Sequence, residues 1–416
     1  MRGRLNASRL VGARMRPAAM TLGVAVCLIA GVLVVAAPPV GAAASFSLVP
    51  SPRPPGYAPV VLNAVSCPST TSCFAVGYAY PPNGAIATAL VEHWNGHTWS
   101  IMKSPSSKGT DGTYLYAVSC WNATSCFAVG YLQSDRASHL SKTFVERLTG
   151  NTWSIVPSPN ANTSANASLS GVSCRATSCF AVGSTRVPPH STTLVEHWAG
   201  NRWSIMTSPN PKGYQYDGLG GVSCPSTTSC FAVGSAHFRS GYKTLMEHWN
   251  GHTWSVMTSP TLTGANMGTI SCSTTTSCFA VGSYSVGALD KSLVMAWNGH
   301  TWSIITSPNP TGATGTDLRG VSCPTPTHCF AVGDSSYTVP IGPVESGTAE
   351  KTLAESWNGH TWSITSSRNP SPGGFRETVL NGVSCHRNAS CFAVGDFGGY
   401  PTDSAWSTTN LIERYG

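Results

Sequence analysis

Charge is scarce in this chain. Asp, Glu, Lys and Arg make up 10% of its 416 residues, well under the roughly 25% of an average globular protein. Even the formal net charge of +7 overstates the field. The first 44 residues hold five arginines and no acid, and taking those five from +7 leaves +2. A field that weak, with no basic stripe, excludes nucleic acid as a partner. After residue 44 no apolar run reaches the length of a membrane span. No helical period competes with the β-branched and aromatic strands, which excludes a helical array. Also missing are a Ser/His/Asp order, a phosphate-binding loop and a dinucleotide glycine motif. Ser, Thr, Gly and Asn fill the surface instead, as suits a β-rich protein.

What is present begins with an address. Arg2, Arg4, Arg9, Arg14 and Arg16 precede the apolar run "MTLGVAVCLIAGVLVVAA". Small residues follow, and Ala42, Ala43 and Ala44 form an A-x-A cleavage site, so residues 1–44 read as a signal peptide. The run is near the lower limit for a spanning helix, and the alternative is an uncleaved membrane anchor. Cys27 lies inside the run with no small residue before it, which argues against a lipid anchor. The protein is expected to be secreted, or held at the cell surface if the signal is retained. Membrane contact is expected only through that segment.

The other fourteen cysteines fall in seven pairs: Cys67 with Cys73, Cys120 with Cys126, Cys174 with Cys179, Cys224 with Cys230, Cys272 with Cys278, Cys323 with Cys329, and Cys385 with Cys391. Their first members lie 53, 54, 50, 48, 51 and 62 residues apart, the mark of an internal repeat. Each period reads as four short strands. The first is "LNAVSC" or a relative, the second "CFAVG", the third "TLVEHW" or similar, the fourth "TWSIM" or similar. "NGH" joins the third to the fourth in most units, and Asn-Gly is the composition of a hairpin turn. Four antiparallel strands repeated about every 50 residues make a propeller blade.

Six fourth strands begin at Trp99, Trp153, Trp203, Trp254, Trp302 and Trp362. The seventh unit stops after its third strand at "LIERYG". "SFSLVPSP" (45–52) matches "TWSIVPSP" (152–159), with Phe46 where Trp153 stands. The expected fold is therefore all-β: one seven-bladed β-propeller over residues 45–416. The strand at Phe46 should complete the last blade and close the ring, whereas an open solenoid would need atypical caps.

Each cysteine pair brackets the turn between first and second strands. In an exported protein paired cysteines imply disulfides, one per blade. Closing so short a loop contributes about 2 kcal/mol each by loop entropy. Zinc is the rival, but no paired histidine or further cysteine sits at a ligand spacing, so no metal is expected.

The unit "EHWNGHTWSIM" (92–102) resembles two propeller repeats. Its Gly96, Thr98 and Trp99 are similar to the Asp-box of sialidase-type propellers, with Trp94 where the defining Asp would fall. "CFAVG" followed by an aromatic strand, a turn and Trp resembles a kelch blade, with Val76-Gly77 in place of Gly-Gly. The resemblance spans essentially the whole chain after residue 44 and implies a propeller. Both families host enzymes and binders, so it implies no activity. The Tyr/His copper set of kelch-fold oxidases has no counterpart placed here. Nor does the arginine cluster, acid/base and Tyr nucleophile of sialidases.

In a propeller the second-to-third loops and the fourth-to-first loops share one face. Between units those loops vary in length and chemistry, while the Cys turn and the Asn-Gly turn hardly change. Binding is expected on the variable face. It carries Tyr114, Tyr116, Tyr214, Tyr216, Phe238, Tyr242, Tyr337, Phe375, Tyr400 and Trp406. Exposed rings with polar neighbours suit sugar or protein contacts. Eleven of thirteen tryptophans belong to repeat strands, Trp121 sits in a Cys turn, and Trp406 is left as the best single anchor. The competing reading is that these rings pack their own loops. Asp334 and Asp396 both follow "FAVG" directly, with Glu345, Glu350, Glu377 and Asp403 near in sequence. Such carboxylates suit glycoside hydrolysis or calcium, or are solvated loop acids. Arg319 and Arg376 suit an anionic ligand or ion pairs. Glu92, Glu146, Glu196, Glu247, Glu355 and Glu413 recur in six units, with Met295 in the fifth. A catalytic residue is rarely made six times, so they read as hydrogen-bond acceptors between blades. The histidines of "HWNGH", such as His93 and His97, read as strand and turn residues.

The expected function is a non-enzymatic binding or scaffold module for an extracellular polysaccharide or protein. Ligand contacts are assigned to Trp406, Tyr400, Tyr116, Tyr214, Tyr216, Tyr242, Arg319 and Arg376. No cofactor is expected beyond a calcium option, and the chain is expected to be a monomer. The alternative is a glycoside hydrolase or polysaccharide lyase using Asp334 and Asp396.

Overall fold

The computed structural model describes residues 44–416, apart from 83–85, 106–111, 135–139, 161–165, 176, 188–189, 263, 341–345, 371–375, 388–389 and 400–406. Ala44–Gly416 is one compact unit. Among the described residues it is all β, with no helix, and so none long and apolar enough to cross a membrane. The expected signal lies outside the described residues except for its last position.

The strands pair as the repeat predicts. In the first unit Val60–Ser69, Ser72–Ala79, Thr88–Trp94 and Trp99–Met102 form an antiparallel four-stranded sheet in chain order. The other units repeat it. Three stand as separate sheets, and the others are joined in twos by single parallel pairs, Ser191 with Tyr216 and Asp290 with Gly315. In the last sheet Phe46–Leu48 supplies the outer strand, pairing with Ser407–Tyr415 in the register Phe46 to Tyr415. Phe46 is fully buried, as the tryptophans at its place are nearly so.

One irregularity recurs in every innermost strand. In the first unit Leu62 pairs with Gly77 and Ala64 with Val76, so Asn63 is an extra, unpaired residue. The same β-bulge falls at Tyr116, Ser170, Gly220, Gly268, Arg319 and Asn381. The bulge brings the innermost backbone hard against the second strand. A Cβ on Gly77 would land on the carbonyl oxygen of Val61, well inside contact distance. The final residue of "CFAVG" is therefore glycine in all seven units for want of space.

The units are held to one another by repeated contacts. The phenylalanine of each "CFAVG" packs on the aromatic pair of the following unit. Phe392 meets Trp94 and Trp99 at 5.1 and 5.2 Å between centroids. Phe127 meets Trp198 and Trp203, and Phe180 meets Trp249 and Trp254. Phe231 meets Trp297 and Trp302, and Phe279 meets Trp357 and Trp362. Phe74 meets Trp153 beside Leu148, and Phe330 meets Phe46 and Tyr415. The serine before each first cysteine adds a hydrogen bond. Cys120 N–H donates to Ser66 Oγ of the unit before it at 3.0 Å, and Cys67 N–H to Ser384 Oγ of the last unit, also at 3.0 Å. The other five units repeat the link.

All seven expected disulfides are present, each across the turn between first and second strands. Cys67 is bonded to Cys73, Cys120 to Cys126, Cys174 to Cys179 and Cys224 to Cys230. Cys272 is bonded to Cys278, Cys323 to Cys329 and Cys385 to Cys391. The second member of each pair opens "CFAVG" and is the deeper one: Cys73, Cys126, Cys179, Cys230, Cys278, Cys329 and Cys391 are all buried. Such a set belongs to an oxidising environment.

The six third-strand glutamates are fully buried. Each accepts from the serine of the "SP" or related segment that follows the previous unit's fourth strand. Ser51, Ser104, Ser158, Ser208, Ser307 and Ser367 donate to Glu92, Glu146, Glu196, Glu247, Glu355 and Glu413 at 2.7–3.0 Å. In the fifth unit Met295 replaces the glutamate, and Ser259 pairs with Thr244 Oγ1 of the fourth unit. His93 stacks on Phe74 and hydrogen-bonds Ser72, a strand role.

Truncating one inter-unit ring should be costly. Phe180→Ala is expected to lower unfolding stability by about 3–5 kcal/mol, read by denaturant titration with disulfides intact.

Burial also makes stability pH-dependent. It pushes Glu196 from the ordinary 4.5 up to about 8, the Ser158 bond only partly opposing it. The fold therefore favours the protonated carboxyl. Its contribution is complete below about pH 4.5 and is lost as pH rises through about 8. Burial lowers His93, His197 and His248 below 6.5, which acts oppositely on the acid side. Between pH 6.5 and about 8 the glutamates act without them. Melting temperature should fall across that window, and less steeply in Glu196→Gln. Equal slopes in the two proteins would refute this account.

Candidate functional site

The bulges decide what faces the centre of the molecule. A cavity of about 210 Å³ is lined by one tripeptide from each of the seven units, each beginning at its bulged residue. The side chains brought to it are Asn63, Tyr116, Ser170, Arg319 and Asn381, with Gly220 and Gly268 leaving room. A bulge re-aims a side chain, so the same irregularity that forces glycine in "CFAVG" supplies the centre with individual chemistry. Around the bulges lie the residues that directly follow each "FAVG": Tyr78, Tyr131, Ser184, Ser235, Ser283, Asp334 and Asp396.

Two chemistries meet there. The sixth and seventh units are acidic. Arg319 Nε donates to Asp334 Oδ1 at 2.8 Å and lies 3.7 Å from Asp317 Oδ2. Asn381 Nδ2 donates to Asp396 Oδ1 and to the carbonyl of Leu62, both at 3.0 Å. Burial raises Asp334 and Asp396 to about 6 each, with Arg319 holding both down. Burial and the neighbouring carboxylates raise Glu350 to about 7. The first and second units are aromatic. Tyr131 stacks on Tyr114 at 4.8 Å and on Tyr116 at 5.7 Å, and Tyr78 meets Tyr114 at 5.0 Å. The Tyr80 and Tyr114 hydroxyls share a hydrogen bond of 2.9 Å. Burial, then the charge of Asp396, raises the Tyr78 pKa.

A second aromatic group lies on the fourth unit. His237 lies 4.5 Å from Tyr242 and 6.0 Å from Tyr216, and the Arg186 guanidinium sits 5.8 Å over Tyr216. Tyr214 lies near His190 at 6.4 Å. Asp217 is buried, neither carboxylate oxygen has a hydrogen-bond partner among the described residues, and burial raises it to about 7. Between the second and third units is a polar pocket of about 440 Å³, lined in part by Tyr131, Gln133, Asn166, Ser168, Ser184 and Arg186.

The residues named from sequence divide accordingly. Tyr116 and Arg319 meet at the central cavity, with Asp334 and Asp396 beside it. Tyr214, Tyr216 and Tyr242 belong to the fourth-unit group. Tyr400 and Trp406 lie outside the described residues, as does the side chain of Arg376. Among the described residues no cluster of three acidic, histidine or cysteine side chains suits a metal. Sequence reasoning missed Tyr78 and Tyr131, although they hold the place already noted for Asp334 and Asp396. It also missed Arg186, for which the repeat offers no signal.

Fold and site together define a β-propeller repeat protein built of disulfide-closed, four-stranded units. No family model and no curated protein matches the chain. Solved structures do resemble it. YCF48 from Cyanidioschyzon merolae has a TM-score of 0.48 at 12% identity, over 89% of this chain and 98% of its own. A polysaccharide lyase, an ulvan lyase, has 0.49 at 8%, over 86% and 91%. The fucose-specific lectin from Aleuria aurantia has 0.39 at 12%, over 80% and 100%. With so few residues shared, what those proteins bind or cleave stays with them.

If Arg319 stabilises the Asp334 carboxylate, Arg319→Met should move the Asp334 pKa above about 6. Carboxyl NMR titration of the variant reads this directly, and an unmoved value would refute the pairing.

Proposed function

We propose that residues 45–416 form a closed seven-bladed propeller, exported by a cleaved signal at 1–44, that binds an extracellular polysaccharide on its variable face. Closure is supported by the Cys67–Ser384 hydrogen bond, which continues the inter-unit series from the last unit to the first. The observation that carries the binding reading is the tyrosine group. Tyr78, Tyr80, Tyr114, Tyr116 and Tyr131 gather beside the central opening, and Tyr116 keeps 37% of its surface exposed. A ring platform edged by hydroxyls and carboxylates matches a sugar, which offers apolar C–H faces and equatorial hydroxyls. Trp406 and Tyr400, which lie outside the described residues, are assigned to the same function from the sequence alone.

A second reading is favoured by one observation. Asp334 and Asp396 are raised to about 6, where a carboxyl can exchange protons near neutrality. A hydrolase or lyase would use them. Against this, both already accept hydrogen bonds, from Arg319 and Asn381.

The test is a polysaccharide array on the chain from Ser45, with reducing ends and unsaturated products followed in the same wells. Binding without release is expected, and Tyr116→Ala and Tyr131→Ala should each weaken it at least about tenfold. Product release lost in Asp334→Asn or Asp396→Asn would replace binding with catalysis. An array with no binding at all would sink both readings.

A further inference from the structure

We propose that the pocket between the second and third units is a subsite for the anionic group of an acidic polysaccharide, with Arg186 as its charge partner. The proposal rests on the polysaccharide reading and names the class of sugar. Three observations carry it. First, Arg186 is a cation with no acid against it among the described residues. Arg319, the arginine at the central cavity, is neutralised by Asp334 and Asp317. Arg186 makes no ion pair among the described residues, and its guanidinium is steadied only by the Tyr216 face. Second, the pocket is uncommitted. The side chains of Gln133, Ser168 and Ser184 make no hydrogen bond among the described residues, and Asn166 uses only its Oδ1, accepting from Ser141 N–H. An unspent cation surrounded by unspent hydroxyls and amides is arranged for a ligand with acceptor oxygens. Third, the pocket is continuous with the tyrosine group. Tyr131 lines the pocket and stacks on Tyr114 and Tyr116. A chain laid over those rings would deliver its next residue to Arg186. The volume of about 440 Å³ lies within the range of about 300–1,000 Å³ usual for small-ligand sites.

The acceptor oxygens have two chemical sources, a uronate carboxylate and a sulfate ester. Polygalacturonate against its methyl ester, and dextran sulfate against dextran, separate them while keeping each backbone fixed. The chain from Ser45 should bind at least one charged polymer about tenfold or more tightly than its neutral counterpart. Arg186→Ala should bring affinity down to that of the neutral polymer, and Arg186→Lys should keep part of the difference, since a point charge replaces the planar fork. Arg202→Ala, one charge removed in a third-to-fourth turn, should change nothing. The carboxylate or sulfate arm that responds names the source. Equal affinity for charged and neutral polymers, or a preference that survives Arg186→Ala, would overturn the subsite and leave the polysaccharide reading intact. Binding to no polysaccharide on the array overturns both.

Discussion

Each innermost strand carries one residue more than its neighbour can pair, and much of the molecule follows from that mismatch. The surplus residue is pushed out of the ladder toward the centre. The backbone around it presses on the second strand so closely that only glycine fits opposite. A single geometric demand thus fixes one residue of the repeat and frees another. The fixed one is the glycine of "CFAVG". The freed one is Asn, Tyr, Ser, Gly, Gly, Arg or Asn by turns, because nothing in the sheet requires a particular side chain there. Constancy and variety in the repeat are two faces of the same bulge.

Around that centre the units are joined by means that differ in physical kind. Aromatic packing is apolar and nearly indifferent to pH. The Ser–Cys backbone bonds are neutral. The Ser–Glu contacts put an ionisable group where water does not reach. Burying a carboxyl costs stability unless it is hydrogen-bonded or holds its proton, and here a serine and a raised pKa share that task. The fifth unit shows that the contact is dispensable one place at a time: Met295 fills the site with apolar volume. Ser259 keeps only the third-strand hydroxyl partner, Thr244, that the equivalent serines Ser158, Ser208, Ser307 and Ser367 have in addition to their glutamates.

Most of the architecture was legible in the sequence because it is written seven times. Strand order, disulfide pairing, the buried glutamates and the pairing of Phe46 with the last sheet were all recoverable from spacing and alignment among the units. The serine preceding each first cysteine is equally repeated, yet it reads as an ordinary strand residue until a neighbouring unit is placed beside it. The site was harder for the opposite reason. Tyr78, Tyr131 and Arg186 occur where the repeat varies, and side chains from different units become neighbours only when the units are packed together. Arg319 reads from sequence as a cation for an anionic ligand or for an ion pair, and only the bulge, which sets it against Asp334 on the adjoining strand, decides for the pair. No linear pattern marks a charge as already neutralised.

The last sheet takes its outer strand from one end of the sequence and its other three from the opposite end. During synthesis the strand at Phe46 emerges long before Ser407–Tyr415, the strand it pairs with, has been made. Every other unit can close on itself as it leaves the ribosome. This one is a clasp between two segments far apart along the chain, and hence a slow contact to form. Until it shuts, the buried face of Phe330 is bare and two sheet edges are open to any chain with a strand to offer. The disulfides do not hold it shut, because each closes a turn within its own unit and none joins the two ends.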